Sequence, residues 1–387
     1  MDNHTASIIL NMLSGISAGK VKTLLHDTLE PKELFTQSDQ FLSHLPGMTR
    51  KILYHLQNWQ NYCDPEVEKQ KAERSGIYII TPENSFYPPL LREIPDPPLC
   101  LYVRGALAAL EKSIGSIAIV GSRHTTQYGE KMAHFLASEA ALAGWPVISG
   151  LARGIDTISH RTALQNHGIT LAILGSGLFN LYPKENFELA KEICTQGGAI
   201  LSEFPLDTKP DRYNFPIRNR IISGISRGTI VIEAGLQSGS LITAHSASEQ
   251  NRAVFAVPGR ADSPFSKGCH ALIQDGAKLV EQFQDVVDEF TFLPGLEPPG
   301  RQKQIREQIQ KMEVLGSPPV ELPELEYRIW KQVSLEDIPL DNLITTLNLP
   351  ASKVLSTILL LEMKNLLKQL PGKLISANPS KKAKKKT

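Results

Sequence analysis

Between Ile117 and Val257 the chain repeats one pattern: a short wholly apolar run, a turn, then a segment with helical spacing. Ile117-Ala118-Ile119-Val120 ends in Gly121-Ser122-Arg123, and Tyr128, Met132, Phe135, Leu136 and Ala140 then recur at helical intervals. Pro146-Val147-Ile148-Ser149 ends in Gly150, and Leu171-Ala172-Ile173-Leu174 in Gly175-Ser176-Gly177. Ala199–Ser202, Thr229–Ile232 and Ala253–Val257 continue the series. Runs without polar alternation, each separated by a helix, predict strands covered on both faces. The expected core is therefore a doubly wound parallel α/β sheet. An antiparallel α+β sheet is the alternative, but its hairpin turns are not visible.

At 387 residues, and about 150 per domain, the chain has room for two or three domains. Residues 1–70 read as short helices, 75–290 as the wound sheet and 294–323 as a proline-rich linker. Helical periodicity returns over 324–376, and 377–387 is a lysine-rich tail expected to be disordered. No apolar run approaches the ~20 residues of a membrane span. The polar opening Met1-Asp2-Asn3-His4 gives no sign of a secretory leader, and four dispersed cysteines fit a reducing cytoplasm. A net charge of +1 means that any nucleic-acid surface must be a local patch.

In parallel sheets ligands bind beyond the carboxyl ends of strands, where glycines admit an anion to backbone N–H groups and helix N-termini favour negative charge. Four turns qualify: 121–123, 150–154, 175–177 and 238–240. Such glycines also serve packing alone, but two of these turns carry an arginine, which a helix N-terminus repels unless an anion is present. The sequence has no GxGxxG after the first run of the series, no GxxxxGK[ST] loop and no GxSxG elbow, and its histidines lack metal-ligand spacing. No cofactor or metal is expected. Rings and cations interleave instead: Phe179, Tyr182 and Lys184 after the third run, and Arg212, Tyr213, Phe215, Arg218 and Arg220 after the fourth. Bases stack on rings while cations follow phosphates, so the mixture suits an unpaired strand. A core aromatic pair flanked by solvated arginines is the bland alternative.

Taken in order, these motifs resemble the DprA (Smf) family of bacterial DNA-processing proteins. The match runs through Gly121-Ser122-Arg123, Ser149–Asp156, Gly175–Pro183, Ser202-Glu203 and Phe215–Ile222. It continues through Val231–Ala234, Ser238–Ala244, Val257-Pro258-Gly259 and Leu272–Ala277. The resemblance implies an extended Rossmann-like domain that binds single-stranded DNA without catalysis. It also implies a homodimer that loads the RecA recombinase during natural transformation and homologous recombination.

Carried onto this chain, the resemblance makes Arg123 a phosphate ligand and Lys184 a second backbone contact. Asn186, Arg218, Asn219 and Arg220 would belong to the same groove. Gly121, Ser122, Gly150 and Gly239 would give N–H groups or close approach. Arg153 either joins them or pairs with Asp156 to hold its turn. The rival from another class is a phosphoribohydrolase-like enzyme that cleaves nucleotides. It would use Glu233, but its glycine-rich PGGxGT turn is replaced here by serines and glutamine.

The flanks resemble modules found in the same family. Leu13–Gly19 and Leu45-Pro46-Gly47-Met48 resemble helix-hairpin-helix or SAM-like turns, with Ser17 and Thr49 in place of the second glycine, which favours packing over DNA contact. Leu340, Leu343, Ile344 and Leu347, then Val354, Ile358, Leu361 and Leu366, form two apolar helix faces. With Leu370–Ile375 as a wing, they resemble a small winged helix. Lys353 and Lys364 against Glu362 make its second helix a poor groove reader, so an auxiliary or docking role is expected.

Overall fold

The computed structural model describes residues 1–13, 16–25, 29–290, 322–333, 338–347, 349–364, 366–370 and 374–377. The chain forms two compact units, Met1–Arg301 and Gln302–Thr387.

The first unit is built on nine described strands: β1 (Ile77–Ile80), β2 (Leu101–Gly105), β3 (Ile117–Gly121), β4 (Val147–Ser149), β5 (Thr170–Leu174), β6 (Ala199–Ser202), β7 (Gly228–Ile232), β8 (Ala253–Ala256) and β9 (Lys278–Leu279). Their order across the sheet is β1-β2-β6-β5-β4-β3-β7-β8-β9. All neighbours from β6 to β9 pair in parallel, as the unalternating apolar runs predict. The alternation in β3 shows why both faces need cover. Ala118 and Val120 enter one core with Ile221, Ile222 and Leu272, while Ile117 and Ile119 enter another with Leu136, Trp145 and Phe283.

One expectation needs amending. β1 and β2 pair antiparallel with each other, and β2 pairs antiparallel with β6, so the parallel sheet has a mixed edge. Leu101, Tyr102 and Val103 are buried, whereas Tyr78 on the outermost strand is exposed, as an edge permits.

The N-terminal helices Asn3–Met12, Ala18–Leu25 and Arg50–Gln57 share a core of Ile9, Leu10, Val21, Leu24, Ile52 and Leu56. Ile8, one position along the first helix, packs instead with Leu174, Leu189 and Ile200 of the wound region. Thr49 acts locally, its hydroxyl accepting the Ile52 N–H at 3.2 Å and so capping the helix that follows. Ser14 and Gly15 of the first hairpin turn lie outside the described residues.

In the second unit, helices Glu324–Val333, Leu340–Leu347 and Ala351–Met363 pack on an antiparallel sheet. The sheet order is β10 (Ile338–Pro339), β12 (Leu374–Ala377), β11 (Leu367–Leu370). Leu343, Leu347, Val354, Ile358 and Leu361 close its core, which is a winged-helix arrangement. The wing tip Pro371–Lys373, linker residues 294–321 and tail residues 378–387 lie outside the described residues.

Candidate nucleic-acid interface

After β3 the next strand of the chain, β4, lies to one side, whereas β7 and then β8 lie to the other. Such a switch in direction opens a crevice beyond the strand ends. A cleft of about 890 Å³ sits there, lined among others by Arg123, Tyr182, Arg212, Phe215, Arg218 and Phe265.

Its frame is held from within. The Ser122 N–H donates to Glu233 O at 2.8 Å, and the Ser122 hydroxyl accepts the His124 N–H at 3.1 Å. Glu233, buried at φ +50°, accepts from the Thr125 hydroxyl and the Thr126 N–H, both at 2.8 Å, and from the Thr126 hydroxyl. Those bonds fix the loop that leads into the helix Gln127–Leu142. At Gly121 a Cβ would lie 1.9 Å from Ile232 O, so only glycine lets β3 and β7 meet this closely.

Asp156 organises the second turn. Its Oδ2 accepts the N–H groups of Gly150 at 3.1 Å and Ala152 at 3.3 Å, in the first turn of the helix Ile155–Gln165. Arg218 is buried beside it and donates through Nη1 to Gly150 O (2.6 Å) and to Ile173 O, and through Nε to Asn219 Oδ1 (3.2 Å). Burial pulls the Arg218 guanidinium down to about 10, with Asp156 opposing, so it is charged at neutral pH. Burial likewise raises the Asp156 carboxyl, against the pull of Arg218. A Cβ at Gly150 would meet Arg218 Nη1 at 2.7 Å; this glycine makes room for a guanidinium.

Phe215 gathers the cations. Its ring centroid lies 5.3 Å from Arg123 Cζ, 5.9 Å from Arg218 Cζ and 5.9 Å from the Tyr182 ring. Arg123 is exposed, as are Arg212 and Tyr213, whose guanidinium and ring lie 4.7 Å apart.

The sequence-predicted residues divide into three groups. Gly121, Ser122, Arg123, Arg218, Asn219 and Gly239 line the cleft; Asn219 Nδ2 also donates to Gly239 O at 3.2 Å, tying two turns together. Gly239 opens the helix Gly239–Glu249, and nothing lies within 4 Å of where its Cβ would be. Gly150 and Arg153 line a small recess that shares Arg123, Tyr182 and Phe215 with the cleft, and Asn186 lines neither. Gly150 backs Arg218, and Asn186 is buried, donating to Leu151 O and Thr157 Oγ1, both at 2.8 Å. Arg153 pairs with Glu185 rather than with Asp156, whose Oδ2 is taken by the backbone. Lys184 and Arg220 lie elsewhere: Lys184 borders a separate cavity, and Arg220 is drawn to Glu203 and, at 2.9 Å, to Asp96.

The Arg153–Glu185 pair is half exposed on both sides, where solvent screens the attraction, and it contributes little to stability. Arg153→Ala is therefore expected to move the thermal midpoint by no more than about 3 °C; a drop several times larger in a thermal melt would show that the pair holds the turn.

The candidate residues read from sequence omit Tyr182, Arg212, Phe215 and Phe265. The first three belong to the ring-and-cation cluster, so their signal was present. Phe265 stands far along the chain after β8, and no local pattern marks it.

The sequence profile described as DNA recombination-mediator protein A matches residues 78–291, more than half of the chain. The chain belongs to the DprA family. A DprA winged-helix profile matches residues 315–373. The Protein Smf of Escherichia coli K12 is 46% identical over 220 residues, covering 57% of this chain and 58% of that protein. The Protein Smf of a Synechocystis strain is 33% identical over 350 residues, covering 86% and 88%. The crystal structure of DprA from Streptococcus pneumoniae aligns with a TM-score of 0.64 at 34% identity, over 76% of this chain and 99% of that one. The DprA profile starts inside β1, so the matched span takes in the mixed sheet edge as well as the cleft.

Proposed function

We propose that this chain binds single-stranded DNA in the cleft beyond the carboxyl ends of β3 and β7, tolerant of sequence and without catalysis. The observation that carries this reading is the Phe215 ring with the exposed Arg123 guanidinium 5.3 Å from its centroid, both in the lining of the cleft. A ring gives any base a stacking face and a guanidinium meets any phosphate, so neither selects a sequence. Glu233 speaks for binding rather than turnover: its carboxylate is buried and engaged by Thr125 and Thr126, unavailable as a general acid or base. The same reading has the protein act in the cytoplasm as a homodimer that shields incoming DNA and passes it to RecA during natural transformation. The family's description as a recombination mediator supports that transfer.

The test is a titration of fluorescent oligothymidylate at several salt concentrations. Affinity is expected to fall with salt, by about 0.7 logarithmic units per tenfold rise in salt for each phosphate neutralised. Arg123→Ala is expected to weaken binding alike on all sequences and to flatten that slope by about one such increment. Binding equal to the parent's in affinity and slope would remove Arg123 from the interface. Released base from nucleoside monophosphates, lost in Glu233→Ala, would restore the enzyme reading.

A further inference from the structure

A second cavity, of about 820 Å³, lies between the helix Phe187–Thr195 and the segment that precedes it. Phe187, Ala190, Lys191, Cys194 and Thr195 face it at i, i+3, i+4, i+7 and i+8 of that helix. Its walls include Leu174, Leu178, Ala190 and Ile200, all buried. At its border stand Phe179 and Phe187, 41% and 56% exposed, an unusual pair for water to meet.

The charges bordering it have one sign. Arg104, Lys184 and Lys191 line the cavity, and no carboxylate does. Of the acids nearby in the chain, Glu185 is turned to Arg153 and Glu192 to the Gln196 amide at 2.9 Å, while Glu188 is exposed and outside the lining. Among the described residues neither lysine has a partner within hydrogen-bonding or ion-pairing distance. The other polar side chains of the lining are engaged: Asn180 donates to Asp207 O at 2.9 Å, Thr195 to Glu192 O at 3.0 Å, Cys194 to Arg104 O at 3.3 Å and Arg104, through Nη2, to Ser75 O at 3.1 Å, which leaves its other guanidinium nitrogens for a carboxylate. Apart from Arg104 and the two lysines at the border, the aliphatic walls hold no free hydrogen-bonding side chain to read a base edge, and they suit a buried Leu or Phe side chain.

We propose that this cavity docks an acidic peptide segment of a partner protein, with a large apolar side chain in the cavity and carboxylates against Lys184, Lys191 and Arg104. The pairing follows the division found in protein interfaces, an apolar anchor in a pocket and complementary charge at the rim. It does not depend on what the cleft binds.

The probe is a fluorescein-labelled peptide, Glu-Asp-Glu-Leu-Phe-Asp-Leu-Glu, titrated by anisotropy against the full chain. One control replaces Leu and Phe by Ser, the other Glu and Asp by Gln and Asn. The parent peptide is expected to bind about tenfold more tightly than either control. Lys191→Glu, a change on the exposed helix surface, is expected to weaken that peptide by about fivefold or more and to leave oligothymidylate binding as it was. Equal affinity for all three peptides, or a Lys191→Glu protein that binds them as the parent does, overturns the proposal. So does a Lys191→Glu protein that loses oligothymidylate and keeps the peptide, which would assign the cavity to the nucleic acid. A failed cleft shows in the Arg123→Ala titration and leaves these peptide results untouched.

Discussion

Replacing Arg218 by methionine is expected to lower the thermal unfolding midpoint by roughly 10 °C. The side chains are close in length, so the loss is not one of volume. It comes from what the guanidinium leaves behind. Gly150 O and Ile173 O lose their donor inside the protein, and the buried Asp156 carboxylate loses the cation acting on it. Each stranded polar group costs about 1–3 kcal/mol, and breaking a buried charge arrangement from one side about 3–5 kcal/mol. For a domain of more than 150 residues, each kcal/mol moves the midpoint by about 2–4 °C. Calorimetry on the purified variant measures it. A fall of less than about 3 °C would mean that water solvates this site and that Arg218 is not a structural ion. Asp156→Asn in the Arg218→Met background is expected to recover part of the loss, because it removes the uncompensated charge.

Phe215→Ala is expected to weaken oligothymidylate binding by about ten- to a hundredfold, since stacking of one base contributes about 1–3 kcal/mol. The ring also supports Arg123, whose guanidinium lies 5.3 Å from its centroid. The salt slope separates this variant from Arg123→Ala. Removing a ring neutralises no fewer phosphates, so the slope is expected to stay as in the parent while affinity falls. Phe215→Trp keeps a stacking face and is expected to retain most of the affinity. Anisotropy of labelled oligothymidylate at three salt concentrations measures both quantities. A Phe215→Ala protein with unchanged affinity would show that bases do not reach the ring.

The parallel sheet was legible because its strands are buried on both faces and therefore carry no polar alternation. The edge strands were not: Ile77–Ile80 and Leu101–Gly105 stand outside the repeating series of run, glycine turn and helix, so nothing local declares their direction. Within the site, the fate of Arg218 was written in the spacing. It shares a helix face with Ile221 and Ile222, at i+3 and i+4, and that face is buried against the sheet. Arg220 falls between those positions, and its partners Glu203 and Asp96 come from distant segments. The Arg153–Glu185 pair likewise spans 32 residues, and no local pattern announces such a contact. Charge type was readable from the chain; which charge meets water was decided by packing.

In the loops that end β3 and β4, the N–H groups of Ser122, Gly150 and Ala152 already donate to Glu233 and Asp156. A socket braced in this way has its shape before any guest arrives. Under the proposed reading, entry then asks for little conformational ordering of the backbone, and the grip is left to the exposed Arg123 and Arg212 side chains.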